Sequence, residues 1–215
     1  MSFLHSLIQL AAKLHVDLSQ SKYNHSSKGK LIALARVPQA LPSATALDLG
    51  CGDGWWSDQL KHLGFAVTAV DQEREYPNKD SAQRYKDMIA MNLNEPLPLP
   101  DASFNLVWCS EVIGFLKNYQ QTIKEIRRVL EPGGTFIFTT PNSFSWLHYF
   151  FKMFGLSNQD WHHEKHINFL RLNDIKQLFP EAQVFGYFPY LIIKATIQSG
   201  VGLLSPTFVI IGKKQ

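Results

Sequence analysis

Asp48, Gly50, Gly52, Gly54 and Asp71 are the densest set of residues in this chain that could hold a ligand. The three glycines fall within five positions of LDLGCGDGWW (47–56), directly behind an apolar run, and Asp71 closes a second apolar run, FAVTAVD, 21 residues beyond Gly50. An apolar strand, a glycine-rich turn and a following helix bring backbone N–H groups to the carboxyl edge of a sheet. Glycine suits such a turn because a ligand must come close to the main chain. A dinucleotide would call for G-x-G-x-x-G with its pyrophosphate over the helix dipole. The chain instead has Gly50-x-Gly52-x-Gly54 followed by Trp55, and no Gly-Lys-Ser/Thr that would mark a phosphate loop. An acid at a strand end can accept from both hydroxyls of a ribose, each charge-assisted bond contributing roughly 1.5–3 kcal/mol. The set therefore points to a nucleoside ligand without a pyrophosphate. The plain alternative is a turn using glycine for its backbone alone, beside an acid that caps a helix.

The elements that must position these residues alternate. KGKLIALARV reads as a helix ended by Pro38 and Pro42, and SATALDLG as a strand leading into the glycine turn. A helix near WSDQLKHLG, then FAVTAVD, DMIAMNL and SFNLVWCS supply one helix and three further strands. NYQQTIKEIRRVL is helical, with Ile123, Ile126, Val129 and Leu130 inward, and EPGG turns into a fifth strand, TFIFTTP. Alternation of this kind predicts an α/β fold, a Rossmann-like doubly wound sheet of seven mainly parallel strands with helices on both faces. The tail departs from it: AQVFGYF and PTFVIIGKK are two strands with no convincing helix between them, which suits a late antiparallel pair at the sheet edge. Between the fifth strand and the helix LNDIKQLF lies a long aromatic insertion, 142–170, of the sort that builds or covers a site. Residues 1–42 read as an N-terminal helical cap and 43–215 as the ligand-binding domain, with 142–170 as its helical lid.

Composition narrows the function classes. The chain has 215 residues, 45% hydrophobic and 18% charged, which fits one folded domain. Lys and Arg number 21 against 18 Asp and Glu, and the densest basic stretch, KEIRRVLE, mixes both signs, so no nucleic-acid partner is expected. Cys51 and Cys109 lack metal-ligand spacing and read as reduced thiols of a cytoplasmic protein. No apolar run reaches the roughly 18 residues of a spanning helix, and no stable membrane insertion is expected. Leu4, Leu7, Ile8, Ala11, Leu14 and Leu18 share one helical stripe, which would dock on the domain, on a partner or on a membrane surface.

Several ordered stretches from about residue 43 onward resemble the class I S-adenosylmethionine (SAM) dependent methyltransferases, in a bacterial branch acting on small molecules. ALDLGCGDGWW is similar to the family's first motif and VTAVDQE to its second. NLNEPLPLPDASFNLVWCSEVI, EIRRVLEPGGTFIFTTPN and HINFLRLNDIKQLF match the regions that follow. The resemblance implies that Asp48 and the backbone of Gly50, Cys51, Gly52 and Gly54 hold the methionine part of the cofactor. Asp71 would take the ribose hydroxyls, Gln72 would lie beside the adenine, and Asn92 and Leu93 would sit at the adenine edge. Many relatives have Asp where Asn92 stands, so the adenine amino group would be read less strongly. Ser110 and Glu111 would face the reacting centre. Trp55 or Trp56 would wall the pocket or pack at the helix start, and Cys51 doubles as a small filler.

The implied reaction is methyl transfer from SAM, leaving S-adenosylhomocysteine, to a small-molecule acceptor, most readily a hydroxyl oxygen, by in-line displacement. A hydroxyl needs a general base. Candidates are Glu111 and the histidines of DWHHEKHINF, namely His162, His163 and His166. Many relatives carry Glu-His just after the fourth strand, where VIGFL here places Gly114 and Phe115. That loss argues against a catalytic metal, and the histidine trio in an insertion is a poor frame for one. CSEV after the fourth strand is not the Asn/Asp-Pro-Pro-aromatic motif of nucleobase amino methylation, and Cys109 inside an apolar strand reads as a structural thiol. Phe144, Leu147, Phe150, Phe151 and Phe154 share helical spacing and would seat the lid, line an acceptor pocket or meet a membrane surface; Tyr23 and His25 are placed to close over the site. The alternative is a non-catalytic SAM-binding subunit acting through a partner. A nicotinamide oxidoreductase is disfavoured by the glycine spacing. Oligomeric state is not legible.

Overall fold

The computed structural model describes residues 28–72, 88–153, 155, 166–188 and 195–215. In chain order the elements are α1 (Lys28–Leu34), β1 (Thr45–Leu49), α2 (Trp55–His62), β2 (Ala66–Asp71), β3 (Ile89–Ala90) and β4 (Phe104–Ser110). A 3-10 turn (Ile113–Phe115), α3 (Tyr119–Val129), β5 (Leu130–Pro141) and α4 (Trp146–Lys152) follow. The chain continues through α5 (Leu172–Leu178), β6 (Gln183–Tyr187), β7 (Thr196–Ile197), α6 (Val201–Leu204) and β8 (Thr207–Lys213).

One sheet runs in the order β3-β2-β1-β4-β5-β8-β6-β7. The pairs β2–β3, β1–β2, β1–β4 and β4–β5 are parallel, and β8 is antiparallel to both β5 and β6. The carboxyl ends of β1, β2 and β4 therefore share one edge, with a crevice where the order reverses between β1 and β4. Central parallel strands are covered on both faces and lose the alternation of a half-buried strand. Accordingly Ala46, Leu47, Asp48 and Leu49 of β1 are all buried. Leu47, Leu49, Val107, Phe136 and Phe138 pack on one side with Ile123, Ile126 and Val129 of α3 and Ile175 of α5. Ala46, Leu106, Trp108 and Ile137 pack on the other with Ile32 and Ala33 of α1 and Trp56 and Leu60 of α2. Each large apolar side chain so buried contributes about 1.5–3 kcal/mol.

Helix α3 shows how sequence and packing agree. Asn118 caps it, its side chain accepting from Gln121 N at 3.3 Å. Ile123, Ile126 and Val129 form the buried stripe expected from spacing, and Arg127 and Arg128 sit in the last turn, where positive charge favours the dipole. The Arg128 guanidinium donates to Leu97 O (2.9 Å), Leu99 O (2.8 Å) and Glu125 Oε2 (2.8 Å), fastening the loop before β4 to the helix. Its hydrogen bonds hold the Glu125 carboxyl below the usual carboxylate range.

The sheet has eight strands where the sequence reading has seven. The addition is β7, two residues paired with β6, and a four-residue helix, α6, stands where none was expected. Neither is long enough to show a hydrophobic period. The fifth strand also starts earlier than TFIFTTP: Leu130 already pairs with Phe104, and the register then slips so that Thr135 pairs with Leu106, leaving EPGG as an irregularity within β5. The late antiparallel pair is found, with β8 lying inside the sheet and β6 beyond it.

Of the expected N-terminal cap, α1 docks on β8, its Gly29 so close that a Cβ would stand 2.7 Å from Thr207 Cγ2. The stripe from Leu4 to Leu18, with Tyr23 and His25, lies outside the described residues. The insertion is secured at its root and at its exit. At the root, Asn142 N donates to Pro206 O (2.8 Å), and its side-chain amide donates to Gly202 O (2.8 Å) and Ser205 O (2.7 Å). At the exit, Ile167 N and Asn168 N both donate to Gly114 O (2.8 and 3.0 Å), and Asn168 Nδ2 donates to Ile113 O (2.9 Å) and Leu116 O (2.6 Å).

Candidate active site

The turn between β1 and α2 is knitted to the end of β2. Gly50 N and Cys51 N both donate to Val70 O (2.8 and 3.0 Å), and Gly52 N donates to Asp71 Oδ2 at 2.8 Å. The other Asp71 oxygen accepts Gln72 N at 2.7 Å. The turn needs glycine at two points for different reasons. Gly50 has φ +76°, and a Cβ there would stand 2.3 Å from Val112 Cγ2, so Val112 lies against the bare main chain. Gly52 has φ +57°, and nothing stands within 4 Å of where its Cβ would be. That leaves an open face above the half-buried main chain at Gly52.

Three carboxylates lie in or beside this turn: Asp48, Asp53 and Asp71 are all buried. Asp48 accepts from Ser57 Oγ at 2.5 Å, and Asp53 accepts Trp55 N at 3.2 Å. Burial pushes the Asp48 carboxyl up to about 7, against the opposing hydrogen bond from Ser57; the charges of Asp71 and Asp53 add to the rise. A pyrophosphate would be repelled here. A ligand carrying positive charge would be stabilised, and its arrival would return Asp48 to its ionised form. SAM, with a sulfonium and an ammonium, fits this donor set. Asp53 was not singled out from the sequence; an acid inside the glycine turn was its available signal.

The two tryptophans separate. Trp56 is buried and stacks on Trp108 with ring centroids 5.3 Å apart, so it packs in the core, while Trp55 is half-buried at the helix start and meets Trp56 edge-on at 4.6 Å. Cys51 is buried in the turn, and Cys109 is fully buried in β4, where burial pushes its thiol well above the ordinary value and keeps it protonated. The Asn92 side chain is engaged in its own turn, donating to Glu95 Oε1 (2.6 Å) and accepting Asn94 N (3.1 Å). Leu93 turns its side chain into the core.

At the carboxyl end of β4, Ser110 and Glu111 meet β5. Ser110 Oγ lies 2.8 Å from Thr139 Oγ1, which donates to Glu111 Oε1 at 3.0 Å. Glu111 has φ +61°, a left-handed conformation that costs a non-glycine residue about 1–2 kcal/mol. Thr139 gave no signal in the sequence, because only the pairing of β4 with β5 brings it to Ser110.

Of the histidines, His162 and His163 lie outside the described residues. His166 is buried between Phe115 (5.0 Å) and Phe169 (5.1 Å). Its ring fills the space over Gly114, where a Cβ would stand 2.1 Å from Cε1. A histidine from the insertion thus occupies the room left by the small residue of VIGFL. His148 of α4, not singled out from the sequence, shares a hydrogen bond of 2.8 Å between its Nδ1 and Ser145 Oγ, and burial lowers its pKa to about 4, so its ring is neutral at neutral pH. Phe150 and Tyr149 of α4 are exposed, and Phe144 is half-buried beneath the Arg171 guanidinium, 4.6 Å from its ring centre. The side chains of Leu147, Phe151 and Phe154 are outside the described set.

A doubly wound sheet with a glycine turn at its switch point and an acid closing β2 defines a nucleoside-cofactor enzyme of the Rossmann-like class. The methyltransferase domain family matches residues 21–184, and the chain belongs to the class I SAM-dependent methyltransferases. SAM is the cofactor of that family. A malonyl-[acyl-carrier protein] O-methyltransferase of Buchnera aphidicola is 35% identical over 136 residues, 60% of this chain and 51% of that protein. A probable SAM-dependent methyltransferase of Mycolicibacterium smegmatis is 34% identical over 113 residues, 52% of this chain and 43% of that protein. The chain thus spans about half the length of the curated relatives it matches. The crystal structure of a SAM-dependent methyltransferase from Thermotoga maritima, described as a possible histamine N-methyltransferase, superposes with a TM-score of 0.67 at 18% identity, covering 99% of this chain and 96% of that one. It supports the fold. Among the described residues no helix is long and apolar enough to cross a membrane.

Proposed function

We propose that this chain transfers the methyl group of SAM to an oxygen of a small-molecule acceptor, a hydroxyl in the first instance. The observation that carries the reading is the open main chain at Gly52 ringed by three buried carboxylates, a cradle for a positively charged nucleoside. The acid closing β2 serves the ribose, its carboxylate held at the strand end by the backbone N–H groups of Gly52 and Gln72. Gln72 follows toward the adenine, and the Gly50–Gly54 main chain with Asp48 takes the amino-acid end. When bound, the cofactor supplies an electrophilic methyl carbon.

The chain's own residues then hold the acceptor oxygen in line with that carbon and exclude water. Positioning of this kind supplies on the order of 7–11 kcal/mol. Ser110, Glu111 and His166 bound the acceptor side, with His166 fixed by the insertion's exit. The O-methyltransferase names of several relatives support an oxygen acceptor and a small, carrier-borne one; the malonyl group in those names offers a carboxylate oxygen, so the hydroxyl reading rests on the Ser110–Glu111 side of the site and not on the names.

Calorimetric titration with SAM, S-adenosylhomocysteine and NAD tests the reading. Micromolar binding of either sulfur nucleoside and none of NAD is expected, and Asp71→Ala should weaken it more than about tenfold. Unchanged affinity in Asp71→Ala would remove the ribose assignment. Binding without turnover on any acceptor would favour the partner-dependent subunit instead.

A further inference from the structure

We propose that Ser110, Thr139 and Glu111 form a hydroxyl relay that carries the proton of the acceptor to the Glu111 carboxylate, and that the acceptor is therefore an alcohol or phenol, not a carboxylate. The inference rests on the methyl-transfer reading above and deepens it.

The direction of the relay follows from counting protons. An ionised carboxylate can only accept, so the single hydroxyl proton of Thr139 goes to Glu111 Oε1, 3.0 Å away. Thr139 Oγ1 then has lone pairs alone to offer Ser110, 2.8 Å away, and the Ser110 proton must point at Thr139. Ser110 Oγ is left with lone pairs, and the residue is half-buried at the carboxyl end of β4. An incoming O–H is the partner those lone pairs suit.

The backbone holds the three groups in place. Ser110 pairs with Thr139 in the parallel register of β4 and β5, and Glu111 N donates to Thr139 O at 2.9 Å. The left-handed backbone at Glu111, φ +61°, departs from the extended course of β4 at the point where its carboxylate meets Thr139. Thr139 is fully buried, so its hydroxyl is shielded from exchange with bulk water.

In the reaction the acceptor O–H bond breaks as its proton passes to Ser110 Oγ, the Ser110 proton to Thr139 Oγ1 and the Thr139 proton to Glu111 Oε1. The acceptor oxygen uses the freed pair to bond the methyl carbon, whose former bonding pair stays on sulfur. Glu111 ends neutral and returns its proton to water after product leaves. A carboxylate acceptor has no proton to give at neutral pH, and this machinery would serve no purpose for it. Thr139 is a positioning residue in this scheme, and Ser110 is the group that touches the acceptor.

Thr139→Val removes donor and acceptor at nearly constant shape, and Thr139→Ser restores both. In the cofactor-free protein, carboxyl carbon NMR should show the Glu111 midpoint raised by about one pH unit in Thr139→Val and returned in Thr139→Ser. For turnover, S-adenosylhomocysteine release is measured with catechol, glycerol and methyl glucoside as hydroxyl probes and malonyl-N-acetylcysteamine as the carboxylate probe. Wild type is expected to methylate a hydroxyl probe. Thr139→Val and Glu111→Gln should each lower kcat about 100-fold and erase the acid limb of the pH–kcat profile, with SAM affinity within about twofold. Thr139→Ser should recover most of the rate. The proposal is overturned if Thr139→Val keeps its rate and pH limb, or if wild type methylates no hydroxyl probe, whether or not the malonyl thioester reacts. SAM titration of the same preparations separates the failures: absent binding in wild type removes the methyl-transfer reading, whereas intact binding confines the failure to the relay.

Discussion

The two halves of the site are built from different materials. On the β1–β2 side of the proposed site the surface is main chain: a glycine turn in left-handed conformations, pinned by Val70 O and by one carboxylate. On the β4–β5 side of the proposed site it is side chain: Ser110 and Glu111 at the strand end, hydrogen-bonded through the buried Thr139 behind them, with His166 seated over Gly114. Main chain presents the same groups whatever the residue, and so suits a ligand common to a whole family. Side chains can be exchanged one by one, and so suit the ligand that differs. The division of labour is testable because each half can be damaged separately.

The largest effect should come from Gly50→Ala. A methyl there meets Val112 and sits at a φ that L residues avoid, so SAM affinity should fall about 100-fold by calorimetry, with unfolding stability lower by about 2 kcal/mol. Retained affinity would break the claim that main chain forms the cofactor side. Gly114→Ala should damage the other half. Its methyl would collide with the His166 ring, so acceptor turnover should drop about tenfold while SAM affinity changes less than about twofold. A matching loss of both would show that the halves are coupled.

A third prediction is a pH dependence. With its carboxyl raised to about 7 in the folded protein, Asp48 binds a proton more readily there than when unfolded. Stability should therefore decline as pH rises from about 4 to 7 and level off above. Affinity for the positively charged cofactor should run the opposite way, weakening as pH falls below about 7. Asp48→Asn should flatten both curves, read by thermal unfolding and calorimetry across that range.

The same contrast explains what the sequence disclosed. The glycine turn, Asp48 and Asp71 are local: a strand, a turn and a second strand end within a short window, each with its own residue chemistry. Helix α3 was legible for a similar reason, as Ile123, Ile126 and Val129 mark one face. Thr139 and the Gly114–His166 contact were not legible, because they exist only once β4 pairs with β5 and the chain returns from its insertion. The contacts of Asn92 were likewise not legible: its residue type gave no sign that its amide would be engaged by Glu95 and Asn94 in the turn. Strands as short as β7 carry no period to read.

Asn142 and Asn168 give the insertion a property of another kind. One amide fastens its entry to the carbonyls before β8, and the other fastens its exit to those around the 3-10 turn. The mounting points belong to the scaffold, not to whatever is strung between them. On the proposed division of the site, the stretch between the two asparagines should be exchangeable. Grafting a relative's stretch between the same two asparagines would move acceptor preference between enzymes while leaving the cofactor side untouched.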